Sequence, residues 1–138
     1  MKRFSQFGFV FTFCALVFGL LGCATRAPEI KAQGSLQVAL SAEKKSTAAS
    51  AQLFNLVTLT LPPPQARGYH WQISFHDARY LKQTTEIMPA GAAGAGPTIS
   101  FIAVKPGRTR VRFMLVPVNS NRVVDPLDQQ ELVLTIDR

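Results

Sequence analysis

Apolar residues fall at every second position, in short bursts, along most of this chain, and past residue 34 they sustain no helical period over ten residues. A backbone that sends successive side chains to opposite faces is extended, so the pattern specifies half-buried strands. It is clearest where Tyr69, Trp71, Ile73 and Phe75 alternate with His70, Gln72, Ser74 and His76. The same period runs through Leu36, Val38 and Leu40, through Val57, Leu59 and Leu61, and through Ile99, Phe101 and Ala103. It returns at Val111, Phe113 and Leu115, and at Leu132, Leu134 and Ile136. Tyr80-Leu81 and Glu86-Ile87-Met88 read as shorter pieces of strand. Breakers separate the bursts: Pro62-Pro63-Pro64, the Gly/Ala run at 91–96, Pro106-Gly107 and the polar stretch 117–128. Residues 43–52 are small and polar and read as a turn or a single weak helical turn.

About seven short strands with turn signals between them fit an all-β domain, an immunoglobulin-like antiparallel β-sandwich. A closed barrel satisfies the same periodicity. Trp71, on what reads as a central strand, is the bulkiest candidate for the core. Residues 35–138 are assigned to this domain.

The N-terminus is of another kind. Lys2 and Arg3 precede an apolar run from residue 7 to residue 21, and six of the ten phenylalanines lie before residue 19. A run this short after a basic start is an export signal rather than a lasting membrane span. It ends in Leu20-Leu21-Gly22-Cys23, which resembles the bacterial lipoprotein box. The resemblance implies cleavage after residue 22 and lipid on the Cys23 sulfur. Residues 1–22 are then the signal and 23–34 a tether containing Pro28. The implied location is the bacterial cell envelope; Ala24, where Asp would signal retention in the inner membrane, points to the outer membrane facing the periplasm. Cys14 leaves with the signal, so no cysteine remains to pair inside the domain, and its core must hold it together alone.

The chain has a formal net charge of +7. Arg108, Arg110 and Arg112 alternate on one strand face, near Lys105. That stripe reads as a solvated face that discourages edge pairing, and export argues against a nucleic-acid partner. No Gly-x-Ser-x-Gly elbow, His-Glu-x-x-His or phosphate-binding glycine loop is present. His70 and His76 fall on one strand face, roughly 20 Å apart at ~3.3 Å per residue, too far to share a metal ion. The expectation is a protein that is not an enzyme and has no catalytic residue, metal or cofactor.

From about Gln52 to Ile136 the order of features resembles the chagasin-type cysteine protease inhibitors. The residues that carry it are Leu61 ending a strand, a loop at 64–68, Gly68-Tyr69-His70-Trp71, a glycine-rich loop before Thr98-Ile99-Ser100-Phe101, the Pro106-Gly107 turn, and Val116-Pro117-Val118 before the last strand. The resemblance implies an immunoglobulin-like sandwich whose three loops, at one end, enter the cleft of a papain-like cysteine protease without covalent chemistry. Carried over, the first loop is Pro64, Gln65, Ala66, Arg67 and Gly68. The second contains Gly91, Gly94 and Gly96, and the third Pro117, Val118 and Asn119. Tyr69 and Trp71 are the structural motif behind them. Ala66-Arg67 stands where the family has Thr-Thr, and Val116 and Val118 stand where it has Arg and Trp. The implied partner is such a protease; the alternative is another envelope protein, held by a binding module of the same fold.

Overall fold

A computed structural model describes residues 29–91, 94–119 and 125–138. Residues 1–28, which hold the expected signal, Cys23 and the start of the expected tether, lie outside the described residues. Eight strands form in chain order: β1 (Gly34–Ala39), β2 (Ser46–Gln52), β3 (Asn55–Thr60), β4 (Tyr69–His76), β5 (Leu81–Gln83), β6 (Thr98–Ala103), β7 (Gly107–Pro117) and β8 (Asp128–Asp137). They make two four-stranded sheets, ordered β1-β3-β6-β5 and β2-β8-β7-β4. Two separate sheets, each with its own edges, make this a sandwich and not a barrel.

The inward residues of the two sheets meet in one core. Val57, Leu59, Ile99 and Phe101 come from the first sheet; Val111, Phe113, Leu115, Leu132, Leu134 and Ile136 come from the second, and each is at most 2% exposed. Their alternation with exposed residues, most complete along β7 and β8, is the period-two pattern of the sequence realised in space.

Three expectations need correction. Residues 46–52, read as part of a turn, are strand β2, paired in parallel with β8. The alternation is present, but its inward members are Thr47, Ala49 and Ala51, which carry little apolar weight. In register they face Leu132, Leu134 and Ile136, so small residues on one strand make room for large ones on the next. Strand β4 is an edge strand and not a central one. Trp71 is still buried, at 3% exposed, because the loop after β3 folds over it.

The third correction concerns the end of β4. Its register with β7 runs Ile73↔Phe113 and then Phe75↔Arg112, which leaves Ser74 as an extra residue in a β-bulge. The bulge reverses the alternation. Phe75 turns outward and is 49% exposed. His76 turns toward the first sheet, its ring tilted against Phe101 with centroids 5.6 Å apart. His70 and His76 therefore do not share a face. Bulges also unfit an edge strand for pairing with a neighbour.

Candidate functional site

The registers decide which loops lie together. Thr60 of β3 is opposite Thr98 of β6, and Tyr69 of β4 is opposite Pro117 of β7. Leu115 of β7 is opposite Asp128 of β8. The segments after β3, before β6 and after β7 therefore leave the sandwich at the same pole. Backbone hydrogen bonds lace them to one another and to the sheets. Leu61 N donates to Pro97 O, and Val118 N donates to Gly68 O, each at 2.8 Å. Leu127 N donates to Leu115 O at 2.9 Å across the base of the third loop.

Individual side chains reinforce this lacing. The Trp71 indole Nε1 donates to Pro62 O at 2.8 Å, so the tryptophan pins the proline run that launches the first loop. A buried indole N–H requires such a partner. Gly68 has φ +80°, a left-handed conformation that glycine adopts freely, and it turns the chain from the loop into β4. Gly96 is needed for closeness: a Cβ there would lie 1.5 Å from Leu61 O. The first and second loops thus run backbone against backbone at Leu61 and Gly96. On the far side, the Lys45 ammonium pairs with the buried Asp128 carboxylate, which also accepts from Gln129 N at 2.7 Å.

Among the expected loop residues, Pro64, Gln65 and Arg67 are exposed and Ala66 is half-buried. Gly91 and Gly94 are exposed, as are Val118 and Asn119, while Pro117 is half-buried. These residues stand at one pole. Gly96 differs: it is buried and works as a packing residue. Residues 92–93 and 120–124 lie outside the described residues.

The sequence reading missed the walls of a groove at this pole. Between the first loop and the segment before β6 lies a recess of about 520 Å³, lined by Pro64, Tyr69, Trp71, Ile87, Pro89 and Ala90, with Glu86 its one charged wall. Met88 bridges Thr98 and holds this segment to the sheet. The two prolines that bracket the segment, Pro89 and Pro97, were the available signal. A second, more polar cleft of about 640 Å³ flanks the third loop, between Lys45, Arg112, Asp128 and Glu131.

The arginine stripe lies on the solvated outer face of β7, but β7 is paired on both sides, with β8 and β4, so the stripe guards no sheet edge as the sequence suggested. Arg112 Nε meets Glu131 Oε2 at 2.7 Å, and Arg110 Nε is 3.9 Å from Glu131 Oε1. Among the described residues no group of three or more His, Cys, Asp or Glu stands close enough to hold a metal ion.

No protein-family model and no curated protein matches the chain. Solved structures do. The crystal structure of the cysteine protease inhibitor EhICP2 from Entamoeba histolytica superposes with a TM-score of 0.60 at 14% identity, over 75% of this chain and 97% of that one. The domain has a chagasin-type fold. The solution structure of amebosin matches with a TM-score of 0.50 at 15% identity, over 75% of this chain and 97% of that one. At such identities the likeness resides in strand order and packing. The domain shares that fold and brings its own residues to the loop pole, Ala66-Arg67 and Val118 among them.

Proposed function

We propose that this protein is a non-covalent inhibitor module for papain-like cysteine proteases, lipid-anchored through Cys23 in the bacterial outer membrane and facing the periplasm. One observation carries the inhibitory reading. Three loops leave one pole of a sandwich that shares its fold with a cysteine protease inhibitor, and hydrogen bonds fix their described bases against one another as a rigid edge. A rigid edge loses little conformational freedom on docking, which is the general requirement for a loop-mediated inhibitor. In this reading Pro64, Gln65, Ala66, Arg67 and Gly68 meet the catalytic end of the cleft. Gly91 and Gly94 meet one wall, and Pro117, Val118 and Asn119 the other. The protein contributes no catalytic group of its own.

Arg67 and Val118 set the specificity within that reading. An exposed guanidinium at the leading loop selects a cleft with acidic character, since a buried unpaired cation is costly. Val118, 57% exposed, offers an apolar contact smaller than an aromatic anchor.

The test is titration of the chain from residue 24 onward against papain and a cathepsin. Inhibition at about micromolar protein or below is expected, corresponding to roughly −8 kcal/mol or better. Absence of inhibition of either enzyme at that concentration overturns the reading for this class. Arg67→Thr distinguishes a misfit tip from a lost function, because it restores the smaller side chain. A second reading, an envelope-protein binding module, is favoured by those departures at Arg67, Val116 and Val118. It predicts specific capture of an envelope protein that Ala66→Asp abolishes, with protease activity untouched.

A further inference from the structure

The pole opposite the loops is where the chain enters the fold. Gln33 N donates to Phe54 O at 2.9 Å, just before β1 begins. The turns at residues 53–54, 77–80 and 104–106 gather there, joined by bonds from Phe54 N to Ala103 O and from Val104 N to Tyr80 O, each 2.8 Å.

Charge is not evenly divided between the two poles. The half of the sandwich toward this pole holds Lys31, Arg79, Lys82, Lys105, Arg108 and Arg110, with Arg138 at its end, against Glu29, Asp77 and Asp137. Among the described residues, the half toward the loops has acids that match or exceed its cations: Glu43, Glu86, Asp125, Asp128 and Glu131 against Lys44, Lys45, Arg67 and Arg112. Pairing sharpens the contrast. At the loop end, Lys45 is tied to Asp128 and Arg112 to Glu131. At the chain-entering end, among the described residues, Arg79 pairs with Asp77 at 2.7 Å and Arg110 reaches Glu131 only at 3.9 Å. Lys31, Lys82, Lys105 and Arg108 form no ion pair among the described residues. The Tyr80 ring, half-buried against the core, has two cations beside it, the Arg79 guanidinium 5.9 Å and the Lys105 ammonium 5.3 Å from its centroid. An amphipathic ring flanked by cations suits the depth of lipid headgroups.

We infer that this basic pole is a contact surface for anionic lipid headgroups, lying flat on the bilayer to which the chain is tethered. The inference rests on the proposed lipid anchor for its geometry but not for its test. Ten residues separate Cys23 from Gly34. Fully extended they reach about 35 Å, and as a flexible coil about 18 Å. A tether that short keeps the cations near the membrane, within a few screening lengths of about 8 Å, and makes weak contacts effective by raising their local concentration.

The experiment uses the chain from residue 24 to 138, which lacks the lipid and contains the whole described fold. It is sedimented with vesicles of phosphatidylcholine alone or with about 30% phosphatidylglycerol. The expected result is at least tenfold stronger binding to the anionic vesicles at about 0.05 M salt, lost at about 0.5 M. Lys105→Glu combined with Arg108→Glu should reduce that binding at least tenfold, while Lys44→Glu combined with Arg67→Glu leaves it unchanged. Both pairs are exposed, and thermal melts verify that each variant is folded. No preference for anionic vesicles overturns the inference, and so does equal loss in the two double variants. The anchor is tested apart from this, by the mass of the N-terminal peptide of the membrane-extracted protein. Absence of lipid on Cys23 would sink the anchor without touching the vesicle result.

Discussion

Trp71 does two things that a single hydrophobic residue cannot. Its rings fill the core from an edge strand, and its N–H satisfies the buried carbonyl of Pro62, fixing the start of the first loop. Trp71→Phe keeps much of the first role and deletes the second. It should destabilise the domain by about 1–3 kcal/mol, the cost of an unpaired buried acceptor, read as a lower urea midpoint with unchanged slope. Asp77 is informative for a different reason. Side-chain and then backbone hydrogen bonds from Arg79 lower its carboxyl to about 2 from an ordinary 3.8. A depressed folded-state pKa means that the contribution is fully present above about pH 4 and is lost as pH falls through about 2. Asp77→Asn should therefore flatten the acid limb between those values by removing that contribution from the neutral range, so that the variant melts below the parent at neutral pH and the two converge as pH falls through about 2. Thermal melts across that range measure it.

At the scale of elements, the large inward residues were legible and the small ones were not. The strands around Val57, Phe101, Phe113 and Leu134 could be read directly, because bulky apolar side chains alternate there with polar ones. Strand β2 could not, because its inward positions are Thr47, Ala49 and Ala51, and alanine scarcely differs from its polar neighbours by hydropathy. Its strand identity comes from outside, from the large side chains of β8 that need small partners. The bulge at Ser74 was equally invisible. Nothing in Ile73-Ser74-Phe75-His76 signals an inserted residue, and the reversal of Phe75 and His76 follows from the register with β7. The loop pole was legible through the order of Leu61, Gly68, Tyr69, Trp71 and Pro117; the groove wall formed by Ile87, Pro89 and Ala90 was not, since it depends on Met88 pairing with Thr98 of β6. The account of β2 makes a sharp prediction. Ala51→Leu should cost about 1–3 kcal/mol through overpacking against Ile136, whereas the outward Ala48→Leu should stay within about 0.5 kcal/mol. Paired denaturant titrations of the two variants decide it.

At the scale of the molecule, the sandwich is polar in the geometric sense. Its loops are laced at one end and the excess of positive charge among the described residues lies at the other, so an anchored copy would hold its leading edge away from the bilayer. Gln33 and Asp137 meet at the second end, hydrogen-bonded to the neighbouring residues Phe54 and Leu53 at 2.9 and 2.8 Å. The first and last strands of the described fold thus have their outer ends close together, at adjacent residues of one turn. A circular permutant that joins residue 138 to residue 33 through a short glycine linker, and opens new termini at Gly91, should fold with a melting temperature within about 10 °C of the parent. It would also carry its termini beside the leading edge, where a fused reporter would shield any docking partner.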